Sequence, residues 1–420
     1  QAPRGNQCFS GRGKPEIGLT GPAEKGMITL ECAVIDRGPL FREALERSLE
    51  SIPKREHVEI RWTWLSWPAA WSEFVQRIVH RTAPDVMELG STWVPTFRAM
   101  NALRPFSPSE IRMLGGVDRF LLPLWRSARS EEMTWGIPWL ADLRLVFYRK
   151  DALERAGVDE CAFRMFKDPT EFERMLRDLS ARQSLRPWVV PTTPERNTLH
   201  HIASWVWYYG GDFVKPDGTL AFAEEPALRG ICAYFRLGPL MGCPIPRLHA
   251  EQADQMFWEG HAAATIGGWW IWDYAGDALR PYIGLALPPG PPFLGGSLLG
   301  IWRETRVPNE ILIAVLARMV HPDTLLRITR IPGTPLPAQP DPLIERVANL
   351  PQPDLEIMRT GMYYSNTFPS FSLFGVIEDR LTDTLGKIWA EIMNCPEDIE
   401  SIVRSHLRHA YSAIRRAISS

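Results

Sequence analysis

The sequence predicts an α/β protein of two lobes, each a mostly parallel sheet flanked by helices. Two observations carry this expectation. The chain has 420 residues, more than a single hydrophobic core usually organises. Between residues 27 and 90 strand-like and helix-like patterns alternate, and alternation of that kind builds a parallel sheet with right-handed crossovers.

The elements follow in order. MITLECAVID (27–36) alternates and then runs apolar, as a first strand does. FREALERSLESI places Phe41, Leu45, Leu49 and Ile52 at helical spacing. VEIRWTWLSW (58–67) alternates through Val58, Ile60, Trp62 and Trp64, and a helix is expected from Ala70 to His80. The short apolar run Val86, Met87, Leu89 is closed by Gly90 and Ser91, and Trp93 stands where the chain turns into the next helix. Such a point, outside the carboxyl end of a strand, is where open α/β sheets bind ligands.

Further along, Pro138 precedes an apolar strand through Leu143, Leu145 and Phe147, and the helix opened by Lys150 and Asp151 stops at Gly157. A helix over 171–183, a strand over 188–193 and a helical stretch over 200–214 come next. The helix Gln252 to Trp258 leads to a strand (262–266) that ends in Gly267, Gly268 and the aromatics Trp269, Trp270 and Trp272. The stretch 283–305 reads as a strand, a proline-rich return, a Gly295-Gly296-Ser297 turn and a second strand. Helices are expected over 308–320, 344–349, 374–393 and 397–417, with a proline-rich passage at 331–343. There is no internal repeat.

Composition narrows the function. A net charge of −2 argues against nucleic acid or an anionic membrane as partner, and no run of about 18 apolar residues exists to span a bilayer. Seventeen tryptophans are a heavy load, and flat aromatic faces suit the apolar faces of sugar rings. The six cysteines form no CxxC and no zinc spacing with histidines, so no metal or other cofactor is expected. Cys232 and Cys243 would close a short disulfide loop; six thiols is the rival reading. Residues 1–26 read as a flexible tail without the apolar core of a secretory signal, and Cys8 has no apolar segment before it.

Four landmarks together resemble the carbohydrate-binding members of the periplasmic-type (extracellular) solute-binding proteins of ABC importers. They are APDVMELGSTWVPTFRAMNALRP (83–105), WGIPWLADLRLVFYRKDALERAGV (135–158), ADQMFWEGHAAATIGGWWIWDYA (253–275) and IGLALPPGPPFLGGSLLGIWRET (283–305). The resemblance implies the periplasmic-binding-protein fold, two lobes joined by hinge crossings. Lobe one would hold 27–137 and 284–330, and lobe two 138–283 and 331–420. It also implies capture of a carbohydrate or polyol by hinge closure, membrane permease subunits of an importer as partners, an extracytoplasmic location and a monomer.

Catalytic motifs are missing. Gly295-Gly296-Ser297 is not the G-x-S-x-G elbow, the phosphate-cradling loops are absent, and the adjacent His200 and His201 cannot form an i, i+4 metal pair. Asp85 and Asp142 have no spacing that marks a glycosidase pair. No enzyme is expected. A ligand-sensing domain of a regulatory protein is the alternative function, and a glycan-active enzyme the third.

Binding residues follow from what a neutral sugar requires, planar aromatics and a few convergent hydrogen bonders. Trp93 is the first choice. Trp67, beside Ser66 at the end of the second strand, occupies a similar position. Trp139 and Asp142 flank the first crossing, where a salt bridge to Arg144 competes for the carboxylate, and an inward Arg144 would favour an anionic ligand. Lobe two offers Trp205, Trp269 and Trp270. Gly296 and Ser297 are expected to present donors from a turn, and Tyr364 an aromatic from near the C-terminus.

Overall fold

The computed structural model describes residues 27–52, 57–130, 132–182, 185–215 and 217–419; the expected tail with Cys8 lies outside the described residues. The first sheet has six strands. In chain order these are β1 (Ile28–Ile35), β2 (Val58–Leu65), β3 (Val86–Gly90), β4 (Ile137–Leu143), β8 (Leu294–Ile301) and β9 (Leu336–Pro337), arranged β9-β4-β8-β3-β1-β2. β1 runs parallel to β2 and β3, and β8 runs antiparallel to both β3 and β4. The carboxyl ends of β1 to β4 and the amino end of β8 therefore share one edge.

Period-2 alternation explains how this sheet is covered. Leu30, Cys32 and Val34 of β1 enter one core with Phe41 and Leu45 of α1 (Pro39–Leu49). Ala33 and Ile35 enter the opposite core with Phe74 of α2 (Trp67–Val79) and Phe97 of α3 (Val94–Ala99).

The second sheet is smaller: β5 (Leu145–Arg149) lies between β6 (Ala264–Gly267) and β7 (Ile283–Ala286), antiparallel to both. Parallel bridges from Arg186 to Ala262 and from Val189 to Thr265 continue it. Of the expected strand over 188–193 only the Val189 bridge forms, and Pro191 has no N–H with which to extend a ladder. The core of this lobe gathers α5 (Pro169–Arg182), α6 (Arg196–Tyr208), α7 (Glu225–Phe235) and the long α14 (Phe374–Ile392) and α15 (Ile399–Ser419).

Strand pairing moves the expected lobe boundaries. Residue 138 falls inside β4, a strand of the first sheet, so the first crossing is Arg144 alone, between β4 and β5. Residue 284 falls inside β7 of the second sheet, which puts the return at 287–293. β9 pairs with β4, and α12 (Pro340–Arg346) packs on β9 and on α11 (Pro322–Thr329). The third crossing accordingly falls after Arg346, before α13 (Gln352–Tyr364) reaches β7.

Gly295, Gly296 and Ser297 form no turn. They sit inside β8, paired to β4 on one side and, at Ser297, to β3 on the other. Gly296 is obligatory there: its φ is +145° and a Cβ would come within 2.1 Å of the Leu140 carbonyl oxygen. The described cysteines are thiols; Cys232 is buried in α7 and Cys243 is exposed, so the short loop they would close is open.

Candidate functional site

The two sheet edges meet around Arg144. Lobe one supplies strand ends from β2, β3, β4 and β8. Lobe two supplies the end of β6 with Gly268, Trp269 and Trp270, the first turns of α6, and the beginning of α14.

At the lobe-one edge the tryptophans cluster. Trp93 stands edge-on to Trp67 at 5.3 Å and to Trp71 at 5.5 Å between ring centroids. The Gly90 Cα lies so close beneath the Trp93 indole that a Cβ would meet the ring at 3.3 Å. Trp93 is buried by these contacts, whereas Trp67 remains 39% exposed. The neighbouring Ser91 N–H donates to the Gly296 carbonyl at 2.9 Å, which ties the β3 loop to β8 and, through Gly295 opposite Asp142, to the end of β4.

Arg144 is the hub of the crossing. Its Nε and one terminal nitrogen donate to Asp142 Oδ2 at 3.1 and 2.6 Å. It also donates to Asn197 Oδ1 at 3.0 Å, His201 Nε2 at 3.2 Å and His200 Nδ1 at 3.5 Å. Its guanidinium carbon lies 4.6 Å from the Trp270 ring centroid. Arginine can only donate, so both imidazoles accept from it and carry their proton on the other nitrogen. Burial first, then the Arg144 charge, hold the His201 pKa well below the usual histidine range, so that ring is neutral.

The network then crosses back to lobe one. His200 Nε2 donates to Glu378 Oε1 at 3.3 Å, and Thr92 Oγ1 donates to Glu378 Oε2 at 3.1 Å. Thr96 Oγ1 donates to the Ser372 carbonyl at 2.7 Å. Asp142, Arg144, His200, Glu378 and Thr92 thus form a polar chain that begins and ends in lobe one and passes through lobe two. Asp142 Oδ1 has no hydrogen-bond donor among the described residues, and its side chain is 20% exposed. It is a free acceptor at the lobe junction.

The expected site residues therefore divide. Trp67 and Trp93 come together, as do Asp142 and Trp270 through Arg144. Trp269 is buried and stacks on Trp272 at 5.7 Å. Trp139 is core: it packs on Phe41 and donates its indole N–H to the Met319 carbonyl. Trp205 is core as well, between Phe172 and Tyr234. Gly296 and Ser297 are held in the sheet, with Ser297 buried. Tyr364 ends α13 and is 72% exposed, close to Asn366, whose carbonyl accepts from Leu294 at the start of β8.

Sequence reasoning passed over Glu378, Thr92 and Asn197. Glu378 had a signal: it shares the apolar face of α14 with Phe374, Ile377, Leu381 and Leu385, and a lone carboxylate on such a face requires a partner. Thr92 and Asn197 are ordinary polar residues whose sequence neighbours announce nothing.

Behind the site, Trp270 donates its indole N–H to Asp254 Oδ2 at 2.8 Å. Burial pushes this carboxyl up to about 7, whereas an unfolded aspartate titrates near about 3.9. Between those values the folded chain keeps a proton that the unfolded chain has lost, so stability falls as pH rises through the window and levels off above about 7. Asp254→Asn should remove that slope. Urea midpoints at pH 5 and pH 8 measure it, and an unchanged slope in the variant would assign the pH dependence to other groups.

Comparison with known proteins agrees with this architecture. The sequence profile of the family described as bacterial extracellular solute-binding protein matches residues 40–306. The sugar-binding protein MalE from Xanthomonas citri superposes with a TM-score of 0.75 at 17% identity, covering 93% of this chain and 98% of its own. An ABC-transporter solute-binding protein from Thermotoga lettingae bound to α-D-tagatose gives 0.72 at 18% identity, covering 91% and 100%. UgpB from Mycobacterium tuberculosis, in complex with glycerophosphocholine, gives 0.71 at 16% identity, covering 94% and 99%. No curated protein sequence matches the chain.

Proposed function

The chain belongs to the bacterial extracellular solute-binding proteins, and on that premise we propose that it captures a neutral carbohydrate or polyol between its lobes and delivers it to the membrane subunits of an ATP-driven importer. The carrying observation is the lobe-one edge, where the half-exposed face of Trp67, propped by Trp93, shares a sheet margin with the free acceptor Asp142 Oδ1. A sugar ring presents an apolar face for the indole and hydroxyls for a carboxylate.

Arg144 bears on the ligand's charge. Had its guanidinium been open, an anionic ligand would fit best; here Asp142, Asn197, His200 and His201 engage all three of its nitrogens, and its side chain is 3% exposed. What is left for a ligand is an acceptor and aromatic surface, which favours hydroxyls over carboxylate or phosphate. The solved relatives bound to tagatose or named as sugar-binding proteins are consistent with this class.

Closure follows from the crossings. The lobes turn about Arg144 and the two other connections, and a ligand that touches both lobes favours the closed arrangement by its differential affinity. The protein would act as a monomer outside the cytoplasm, its lobe rims meeting the permease; no helix among the described residues is long and apolar enough to cross a membrane.

A thermal-shift panel of mono- and oligosaccharides, polyols and sugar phosphates tests the reading, since a ligand well above its Kd raises Tm by mass action. A shift with neutral sugars supports it; a shift confined to sugar phosphates would overturn the neutral-ligand assignment. With the ligand in hand, Trp67→Ala should weaken binding by about tenfold with little loss of Tm. Trp93→Ala should lower both affinity and Tm, because it removes the ring that supports Trp67. Titration calorimetry and thermal melts separate the two, and an unchanged affinity in both variants would place the ligand elsewhere.

A further inference from the structure

We propose that Cys243 and Cys395 are a disulfide-forming pair that staples lobe two in oxidising surroundings. Cys243 stands in the loop between the 3-10 turn Gly238–Met241 and Ile245. Cys395 stands just beyond α14. The two segments are far apart in sequence and are held together at the lobe surface.

Three contacts hold them in place. The Ile245 N–H donates to the Met393 carbonyl at 2.7 Å. Gly238 lies against Trp389 and Ile392, close enough that a Cβ would meet the Trp389 ring at 3.0 Å. The Cys395 thiol points back at the first segment, with Sγ 3.8 Å from the Gly242 carbonyl oxygen. Cys243 directly follows Gly242, which brings its thiol beside Cys395, whose pKa is raised by burial first and then by Cys243. Leu240, Met241 and Ile245 share a core with Ile388, Trp389 and Ile392, so the pair sits over packed side chains and its approach is part of the fold.

The remaining described cysteines are placed differently. Cys32 and Cys232 are buried inside their lobes, and Cys161 is exposed on the helix Glu160–Arg164. The short Cys232–Cys243 loop that sequence spacing suggests is replaced by a long-range pair.

The chemistry is thiol–disulfide exchange with a small-molecule or enzyme disulfide as oxidant. Cys243 is the accessible thiol, while burial and the neighbouring thiol push Cys395 up to about 11. The Cys243 thiolate attacks one sulfur of the oxidant and expels the other as thiolate, leaving a mixed disulfide. The Cys395 thiolate then attacks the Cys243 sulfur and expels the second oxidant sulfur. Two cysteine thiols are oxidised to one disulfide, and the oxidant is reduced to two thiols, which carry away the two protons.

Both segments belong to lobe two, so the bond does not cross the hinge. It closes a long loop of the unfolded chain, which is the situation where a cross-link adds most stability.

The test is incubation of the purified full chain with reduced and oxidised glutathione, followed by alkylation under denaturing conditions, peptide mapping and thermal melting. The expected result is a Cys243–Cys395 linked peptide, alkylated Cys161, and a Tm raised by a few degrees that dithiothreitol reverses. Cys243→Ser should abolish the link and the rise together, and Cys395→Ser should do the same. Complete alkylation of both cysteines, glutathione retained on Cys243 as the end product, or an equal rise of Tm in either serine variant would overturn the assignment. The outcome is independent of which solute the cleft takes.

Discussion

Replacing Glu88 with alanine should destabilise the protein by about 3–5 kcal/mol, the cost of leaving a buried charge without its partner. Glu88 lies in the middle of β3 and is 0% exposed. Its Oε1 accepts from Arg37 at 2.5 Å, and its Oε2 accepts from Arg37 at 3.1 Å and from the Ile35 N–H at 2.7 Å. Arg37 is itself buried, its guanidinium carbon 5.0 Å from the Phe41 ring centroid and 5.9 Å from that of Trp139. Truncation strands that guanidinium among aromatic rings and orphans the Ile35 N–H. Glu88→Gln keeps an acceptor for the backbone and should lose less, about 1–3 kcal/mol. Urea unfolding measures both. A midpoint unchanged in the alanine variant would mean that Arg37 swings out to water. The pair matters for the site because it locks the carboxyl end of β1 to β3, directly under the loop that carries Trp93.

Much of this was legible in the sequence, and the exceptions have causes. The strands and helices from 27 to 99 could be read because each buries one face, so periodicity reports the fold directly. Gly295-Gly296-Ser297 looked like a turn because glycine usually marks one; at Gly296 it marks backbone that approaches the Leu140 carbonyl too closely for any side chain. Pro138 looked like a boundary, yet it is accommodated within β4 where the ladder to β8 shifts register. Glu88 and Glu378 are charges inside apolar patterns, and that mismatch is a readable sign of a buried partner. Their partners are not readable: Arg37 is 51 positions away and Thr92 is 286 positions away. Tryptophan was the hardest case. Trp67 and Trp139 both occur near strand ends, and only the packing of Phe41 and the Met319 carbonyl makes the second a core residue.

The polar chain from Asp142 to Thr92 would couple the two lobes in the proposed closure. In the hinge motion we propose, opening would break Thr92–Glu378 and Thr96–Ser372, the hydrogen bonds that span from the β3 loop to the start of α14. The Asp142–Arg144 pair can stay intact, since the two residues are separated by one position at the pivot. A ligand hydroxyl on Asp142 would therefore act where the chain already turns, and closure would restore hydrogen bonds that the open state gives to water. The affinity would then reflect the sum of ligand contacts and these reformed bonds, less the cost of ordering the two lobes.

Arg144→Met tests this pivot most severely. Methionine keeps apolar contact with Trp270 but removes the charge and every donor to Asp142, Asn197, His200 and His201. The arginine side chain is 3% exposed and Asp142 20%, so the stranded carboxylate gains some hydration, and the expected loss is about 2–4 kcal/mol. Ligand affinity should fall as well, by at least about tenfold, because Asp142 loses the group that holds its free oxygen at the junction. Adding Asp142→Asn should recover part of the stability and none of the affinity, and a double-mutant cycle reads the coupling directly. If the single variant melted lower but bound its ligand as tightly as the unaltered protein, Arg144 would be a structural residue only, and the ligand's acceptor would have to be sought beyond Asp142.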